Sequence, residues 1–175
     1  MILSLDIATK SGFCLWDTVK NKPRTAGIIN SKIRTKATKT LEADHLGKRL
    51  FKLDQSLNKI FQYVDSSRNM PPIELISYER ITMGVRAGGR TAAVARHLEA
   101  IVIHHAFTIG VPIMDFATGT VKKFATGNGN ALKEDMMTAA EETWPDFINQ
   151  LVDNGNYDDN VADAIWVAAL TANKL

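Results

Sequence analysis

Three strand-like segments follow one another at the start of this chain, before any segment with helical periodicity. MILSLD is an apolar run closed by an acid, GFCLWD follows after the turn IATKSG, and TAGIIN completes the group. Consecutive strands joined by short turns predict an antiparallel meander. Two later strands, ELISYE and VPIMDF, alternate with helical segments, which predicts parallel pairing. The order of segments therefore predicts an α/β fold with a five-stranded mixed sheet flanked by helices.

Helical patterns fill the remaining intervals. Apolar residues recur at helical spacing from about Leu41 to Asp65, which predicts one long amphipathic helix. TAAVARHLEAIVIHHAFTIG predicts a largely apolar helix, and GTVKKFA and ALKEDMMTAAEETW predict two shorter ones. The last predicted helix runs to Ala172, with Asp158 as its N-cap. At 175 residues, 45% of them hydrophobic, the chain is expected to form one domain over residues 1–175.

Composition disfavours several classes of protein. A single cysteine, Cys14, gives no disulfide framework, and no apolar run approaches the length of a membrane span. The N-terminus lacks the pattern of a signal peptide, so a cytoplasmic location without a membrane partner is expected.

Four acidic residues lie at the ends of the apolar segments. Asp6 closes the first strand, Glu79 closes the fourth, and Asp159 and Asp163 lie one turn apart in the last helix. A buried ionised carboxylate is costly unless it is paired, so several acids that converge on one point favour a cation. Carboxylate oxygens suit Mg²⁺ or Mn²⁺, whereas zinc is disfavoured without a thiolate cluster. The set is typical of a metal-dependent nuclease.

Charge is distributed unevenly, although the net charge is only +2. The first half has a basic segment without acids, which contains Lys20, Lys22, Arg24, Lys32, Arg34, Lys36 and Lys39. After Lys133 acids dominate, with Lys174 as the one basic residue. A basic segment beside a carboxylate site favours a phosphodiester substrate, and an ordinary solvated loop is the alternative.

Four motifs carry a resemblance to a known family. ILSLDIATKSG, LISYER, VKKFATGNGNALKEDM and DDNVADAIWVA, in that order and spacing, resemble the motifs of RuvC-type Holliday-junction resolvases, especially the short forms of bacteriophages. The resemblance spans nearly the whole chain and implies a single ribonuclease H-like nuclease domain. For a phage-encoded protein, the expected location is the host-cell cytoplasm.

The resemblance also implies an activity. It is that of a crossover junction endodeoxyribonuclease of DNA recombination and repair, which resolves four-way DNA junctions by paired symmetric nicks through two-metal hydrolysis. It implies two Mg²⁺ ions per site, replaceable by Mn²⁺, with branched DNA as the partner and no nucleotide cofactor. Because a four-way junction is two-fold symmetric, a homodimer is expected.

Individual roles follow from the same resemblance. Asp6 is implied to be the shared metal ligand, with Glu79 and Asp163 as further ligands. The family commonly has an acid or histidine three residues before the final Asp, where this chain has Asn160. Asp159 and Asn160 both share a helical face with Asp163. An amide is a neutral ligand, so Asp159 is favoured as the fourth ligand, with Asn160 as a helper.

Basic residues are implied to contact DNA. The resemblance gives Lys133 a contact with the scissile phosphate, where its charge would stabilise the transition state. The loop GVRAGGR after the fourth strand is a candidate junction-facing element, in which arginines follow phosphates and a methionine wedges into the opened crossover. The predicted DNA-binding residues are Lys32, Arg34, Lys36, Met83, Arg86, Arg90, Lys122 and Lys123. For each of them, an ordinary surface position is the alternative.

Other conspicuous residues are expected to be structural. His104 and His105 are adjacent on a helix and point about 100° apart, so they cannot hold one ion. They are expected at the edge of the core. Cys14 is expected to be buried, and the tryptophans Trp16, Trp144 and Trp166 to lie in the core or at an interface.

Several other functions compete with junction resolution. A broader branched-DNA or flap endonuclease and a ribonuclease H acting on hybrids would use the same acids. A non-catalytic junction-binding protein is disfavoured, because the retained acids would repel DNA unless they held metal. An actin-like or sugar-kinase-like ATPase, which LSLDIATKSG also resembles, is disfavoured by the single phosphate-loop-like segment. The apolar helix from Thr91 to Ile109 suits either a covered core position or a dimer seam.

Overall fold

The computed structural model describes residues 1–33, 42–80 and 89–175. Its elements, in chain order, are β1 (Ile2–Asp6), β2 (Lys10–Asp17), β3 (Lys22–Asn30), α1 (Glu42–Ser66), β4 (Leu75–Glu79), α2 (Gly89–Ile109), β5 (Ile113–Phe116), α3 (Thr118–Thr126), α4 (Lys133–Thr143), α5 (Pro145–Asp153) and α6 (Asp159–Ala172). None of the described helices combines the length and apolar character that crossing a bilayer requires.

The sheet has the mixed topology that the segment order predicts. Its strands lie in the order β3-β2-β1-β4-β5. β1, β2 and β3 pair antiparallel, whereas β4 pairs parallel with β1 and β5 pairs parallel with β4. The predicted fold class is therefore confirmed.

In strands β1 to β4, alternating side chains pack into two separate hydrophobic cores on opposite faces of the sheet. In β1, Ile2 packs into the core under α3–α6, whereas Leu3 and Leu5 pack into the core under α1 and α2. This alternation is the period-2 pattern of a strand buried on both faces. The protein is consequently a three-layer sandwich with an α6 face and an α1–α2 face, the names used below.

Helix α6 is the central element of its face. Apart from Asp163, the helix is buried from Val161 to Thr171. A helix that is apolar on nearly all sides must be enclosed by other elements, and α3, α4, β1 and β2 enclose this one.

One described helix was not predicted. Pro145 occupies the first position of α5, directly after Trp144, whose backbone is not helical (φ −131°, ψ 57°). Proline is well suited to the first helical turn because it has no N–H that needs a partner. The chain therefore turns at Trp144 and starts a second helix where the pattern predicted a connection.

Candidate active site at the carboxyl edge of the sheet

Asp6 and Glu79 end two neighbouring parallel strands. β1 and β4 pair in register up to Leu5 and Tyr78, so Asp6 and Glu79 come next along the two strands. Adjacent strands lie about 4.8 Å apart, and residues in register point to the same face. The two carboxylates therefore lie side by side at the carboxyl edge of the sheet, on the α6 face.

Helix α6 approaches the sheet closely at this edge. Gly12 of β2 lies in register with Asp6, and a Cβ atom at Gly12 would stand 1.9 Å from the carbonyl oxygen of Asn160. Farther along, the Ser4 hydroxyl donates a hydrogen bond of 2.7 Å to the Ala164 carbonyl. The small residues Gly12 and Ser4 thus allow α6 to pack closely against β1 and β2. This packing brings Asp163 close to Asp6 and Glu79.

The first turn of α6 is fixed by a cap and an ion pair. Asp158 Oδ1 accepts a hydrogen bond of 3.0 Å from the Val161 N–H, so Asp158 is the N-cap as predicted. Its other oxygen, Oδ2, lies 2.6 Å from the Lys10 ammonium. Lys10 starts β2, so this contact ties the helix to the sheet a second time.

The grouped carboxyls raise one another's pKa. Burial raises the pKa of Asp6 to about 8, and the charges of Asp163 and Glu79 add to the rise. Burial and the charge of Glu79 raise the pKa of Asp163 to about 6. Burial also raises the pKa of Glu79, against a hydrogen bond from Thr118 that lowers it. Ionising all three is therefore costly, and a bound cation would offset that cost.

Lys133 is the basic side chain that reaches into this group. It is the first residue of α4, and its ammonium forms an ion pair with Asp159. The hydrogen bond to Asp159 raises the pKa of Lys133, so the side chain stays protonated. Its charge also lowers the pKa of Asp6 and of Asp163. The site thus combines buried acids with one fixed positive charge.

Lys122 adds a second positive charge on the other side of Glu79. Its ammonium donates a hydrogen bond of 2.6 Å to the Ala131 carbonyl. The charge of Lys122 lowers the pKa of Glu79 and of Asp163. The neighbouring Lys123 is exposed.

The donor set fits a hard divalent cation. Asp6, Glu79, Asp159 and Asp163 offer carboxylate oxygens, the ligands that Mg²⁺ and Mn²⁺ prefer. In the described part of the chain, no three His, Cys, Asp or Glu side chains already stand as a preformed ligand cluster. Asp159 turns towards Lys133, and Glu79 is held by Thr118. The chemistry of the donors fits the metal, and Asp159 would have to leave its ion pair with Lys133 to bind it.

Asn160 lies among the same acids. Its amide nitrogen donates to Asp158 at 3.2 Å and to Asp159 at 3.4 Å. The amide thus braces both carboxylates, and Asp159 remains the stronger ligand candidate because it carries a charge.

The predicted DNA-binding residues lie in different places. Lys32 is exposed just after β3, and its carbonyl accepts a hydrogen bond of 3.0 Å from the Lys52 ammonium. Arg34, Lys36, Met83 and Arg86 lie outside the described residues, as does the side chain of Arg90. Their roles stay predictions.

Most of the residues expected to be structural lie in or against the core, whereas His104, expected at the edge of the core, is exposed. His105 is buried, and its Nε2 lies 2.9 Å from an Asp54 carboxylate oxygen. Trp144 packs against both Trp16 and Trp166, with ring centroids 5.6 and 4.8 Å away. Cys14 is fully buried.

Three residues of the site were not predicted from the sequence. Gly12 had a recognisable signal, because glycine within a strand often marks a close approach of another backbone. Lys10 and Thr118 had no such signal in the sequence, since each contacts a residue far away along the chain.

Comparisons with known proteins agree with this architecture. No protein-family model matches the chain, and no curated protein sequence matches it. Among solved structures, T. thermophilus RuvC is similar, with a TM-score of 0.65 and 14% identity over 96% of this chain and 90% of that one. The same protein in complex with Holliday junction substrate gives 0.63 and 16%, with the same shares covered.

A third similar structure is a yeast protein. The yeast mitochondrial Holliday junction resolvase Ydc2 gives a TM-score of 0.61 and 12% identity, covering 96% of this chain and 75% of that one. The chain therefore has the ribonuclease H-like fold of RuvC-type resolvases, as its motifs predicted. The resemblance to phage forms stays a prediction.

Proposed function

We propose that this protein is a metal-dependent endonuclease that cuts branched DNA, chiefly four-way junctions. One observation carries the proposal: Asp6, Glu79 and Asp163 converge at one edge of the sheet, where burial raises the pKa of each and neighbouring carboxylates raise the pKa of Asp6 and Asp163 further. The fold supports the choice of substrate, because its structural neighbours are resolvases of Holliday junctions.

The acids are the proposed ligands for Mg²⁺, which Mn²⁺ could replace. Asp6 is the proposed shared ligand, because the charges of Glu79 on β4 and of Asp163 on α6 both act on it. Asp159, with Asn160 beside it, completes the set. When bound, such ions lower the pKa of the attacking water and stabilise the leaving oxygen.

Lys133 is the proposed phosphate contact. Its ammonium is held at the site by Asp159 and keeps its proton, because that partner raises its pKa. A fixed positive charge beside a phosphodiester stabilises the negative charge that builds up on the phosphate oxygens during hydrolysis.

The proposed DNA surface extends on either side of the acids. Exposed Lys123 and Lys32 are suited to phosphate contacts, which would position DNA without reading its sequence. The segments that contain Arg34, Lys36, Met83, Arg86 and Arg90 are proposed to complete this surface.

A homodimer is proposed because two symmetric nicks need two active sites. Helix α2 buries one apolar stripe, which includes Leu98 and Val102, in the core of the α1–α2 face. A second stripe is open, with Ile103 44% and Phe107 87% exposed. An exposed apolar stripe beside a polar rim is typical of a protein interface, so α2 is the proposed dimer seam.

The decisive experiment is a Mg²⁺-dependent cleavage assay on end-labelled four-way junction, fork, flap, linear duplex and RNA–DNA hybrid, with Asp6→Asn as control. We expect paired symmetric nicks in the junction that are absent from the duplex and from the control. Equal cutting of forks and flaps would indicate a broader branched-DNA nuclease. Preferential cutting of the hybrid would indicate a ribonuclease H, and binding without any cutting would indicate a junction-binding protein.

A further inference from the structure

Thr118 contacts one of the proposed metal ligands directly. Its hydroxyl Oγ1 donates a hydrogen bond of 2.6 Å to Glu79 Oε1. No described residue donates a hydrogen bond to Oε2, the other oxygen of the same carboxylate. The contact therefore fixes one oxygen of the Glu79 carboxylate.

The hydroxyl is free for this contact because of where α3 begins. Thr118 is the first residue of α3, and the N-cap before it is Ala117, which has no side-chain cap. A threonine one position earlier would bond to its own helix. Here the hydroxyl instead points across to the neighbouring strand.

The start of α3 is itself held in place by the sheet. Phe116 lies in register with Glu79, and its carbonyl accepts a hydrogen bond of 2.7 Å from the Arg80 N–H. Only Ala117 separates Phe116 from Thr118. The distance between Thr118 and Glu79 is thus set by the pairing of β4 with β5 rather than by a flexible loop.

The first turn of α3 is also braced from the other side. A Cβ atom at Gly129 would stand 3.1 Å from the Gly119 carbonyl oxygen, so the loop before α4 packs tightly on this turn. One turn further, Lys122 donates to the Ala131 carbonyl in the same loop. The helix that carries Thr118 has little freedom to move.

We propose that Thr118 is a positioning residue that holds the Glu79 carboxylate ready to bind a divalent cation. A free glutamate side chain has several rotatable bonds, and fixing them on binding costs entropy. The Thr118 hydrogen bond removes part of that cost in advance, as partners of metal ligands commonly do. This inference rests on the proposed function, since it assumes that Glu79 is a ligand.

The test compares Thr118→Ala with Thr118→Ser, because serine keeps the hydroxyl and loses only the methyl group. Thr120→Ala is the matched control, since Thr120 lies on the same helix and is exposed. Mn²⁺ binding to the DNA-free protein is measured by calorimetry, and the Mg²⁺ concentration for half-maximal junction cleavage is measured separately.

We expect Thr118→Ala to weaken Mn²⁺ binding by roughly tenfold or more, the usual loss when a partner of a metal ligand is removed. The Mg²⁺ requirement for cleavage should rise in parallel, while Thr118→Ser and Thr120→Ala stay near the wild type. Thermal unfolding checks that each variant folds. Thr118→Val, which keeps the shape of threonine without its hydroxyl, replaces the alanine variant if that one unfolds.

The outcomes separate this inference from the proposed function. If the wild type binds Mn²⁺ and cuts junctions but Thr118→Ala matches it, the positioning role is wrong and the proposed function stands. A serine variant as weak as the alanine variant would also overturn the role, because the hydroxyl would not be its cause. If the wild type neither binds Mn²⁺ nor cuts any substrate, the proposed function fails and this inference fails with it.

Discussion

Two acids of the candidate site, Asp6 and Asp163, differ in their partners from three acids on the opposite face of the sheet. On the α1–α2 face and its edge, acids have basic partners: Asp54 with His105, Glu99 with Arg96, and Asp115 with Arg80. On the α6 face, Asp6 and Asp163 form no ion pair with any described basic side chain, and their pKa values are raised to about 8 and about 6. Acids already paired within the protein stabilise the fold, whereas buried acids left without partners are suited to a ligand.

The largest expected effect is on junction cleavage, which should require the acids of the candidate site but not an acid of the opposite face. Asp6→Asn and Glu79→Gln should each lower junction cleavage by roughly 10³-fold or more, because a bound ion contributes several kcal/mol of transition-state stabilisation. Junction binding should persist in both variants. Asp115→Asn, an acid of the opposite face, is the matched control and should cut normally. Full nicking by either site variant would refute the assignment.

Substitution of Lys133 tests whether cleavage requires a positive charge among the acids of the α6 face. Lys133→Met should lower the cleavage rate at saturating Mg²⁺ by roughly 10²-fold, the usual cost of losing one group that stabilises developing charge. Lys174→Met, a substitution of an exposed lysine outside the proposed DNA surface, serves as the control for lost net charge. Equal rates for the two variants would show that Lys133 is only a surface residue.

Gly12 tests how closely α6 must lie on the sheet. Gly12→Ala would place a methyl group 1.9 Å from the Asn160 carbonyl oxygen, and such overpacking should lower the free energy of unfolding by about 3 kcal/mol. Gly47→Ala in α1 meets nothing within 4 Å, so it should instead add about 0.5–1 kcal/mol, the helix preference of alanine over glycine. Urea unfolding measures both changes, and a neutral Gly12→Ala would contradict the close approach.

The unpaired acids also predict how stability depends on pH. The pKa of Asp6 rises from 3.8 to about 8 on folding. The contribution of Asp6 to the free energy of unfolding is therefore complete below pH 3.8 and is lost as the pH rises through about 8. The metal-free protein should therefore become less stable across this interval. Asp6→Asn should flatten the decline, and Mg²⁺ should reduce it by binding the ionised form. An unchanged pH profile in Asp6→Asn would count against the raised pKa.

The smallest expected effect belongs to the paired face. Asp54→Asn should lower the free energy of unfolding by about 1 kcal/mol, because it weakens one hydrogen bond to the buried His105. Junction cleavage and Mn²⁺ affinity should not change. If Asp54→Asn lost cleavage but kept normal stability, acids of the α1–α2 face would also be needed for activity, and the contrast between the two faces would be wrong.

Regular patterns along the chain predicted most of the fold. The strands, α1 and α6 follow from apolar periodicity, and the grouping of Asp6 with Glu79 follows from parallel pairing of the strands that they end. Helix α5 was not predicted because it is only nine residues long, so its apolar residues repeat over little more than two turns. Two contacts of the site were not predicted, because each joins segments distant in sequence and no local pattern encodes it. They are the Thr118–Glu79 hydrogen bond and the Lys10–Asp158 ion pair.

The docking of α6 onto β1 has a consequence for how the protein is made. The Ser4–Ala164 hydrogen bond joins residues separated by 160 positions, so the acids from β1 and from α6 meet only after the chain has been synthesised through α6. Contacts between such distant segments form late, because a long loop must close first. A nascent or truncated chain without α6 would therefore hold an incomplete set of acids, and the proposed cleavage would require the assembled α6 face.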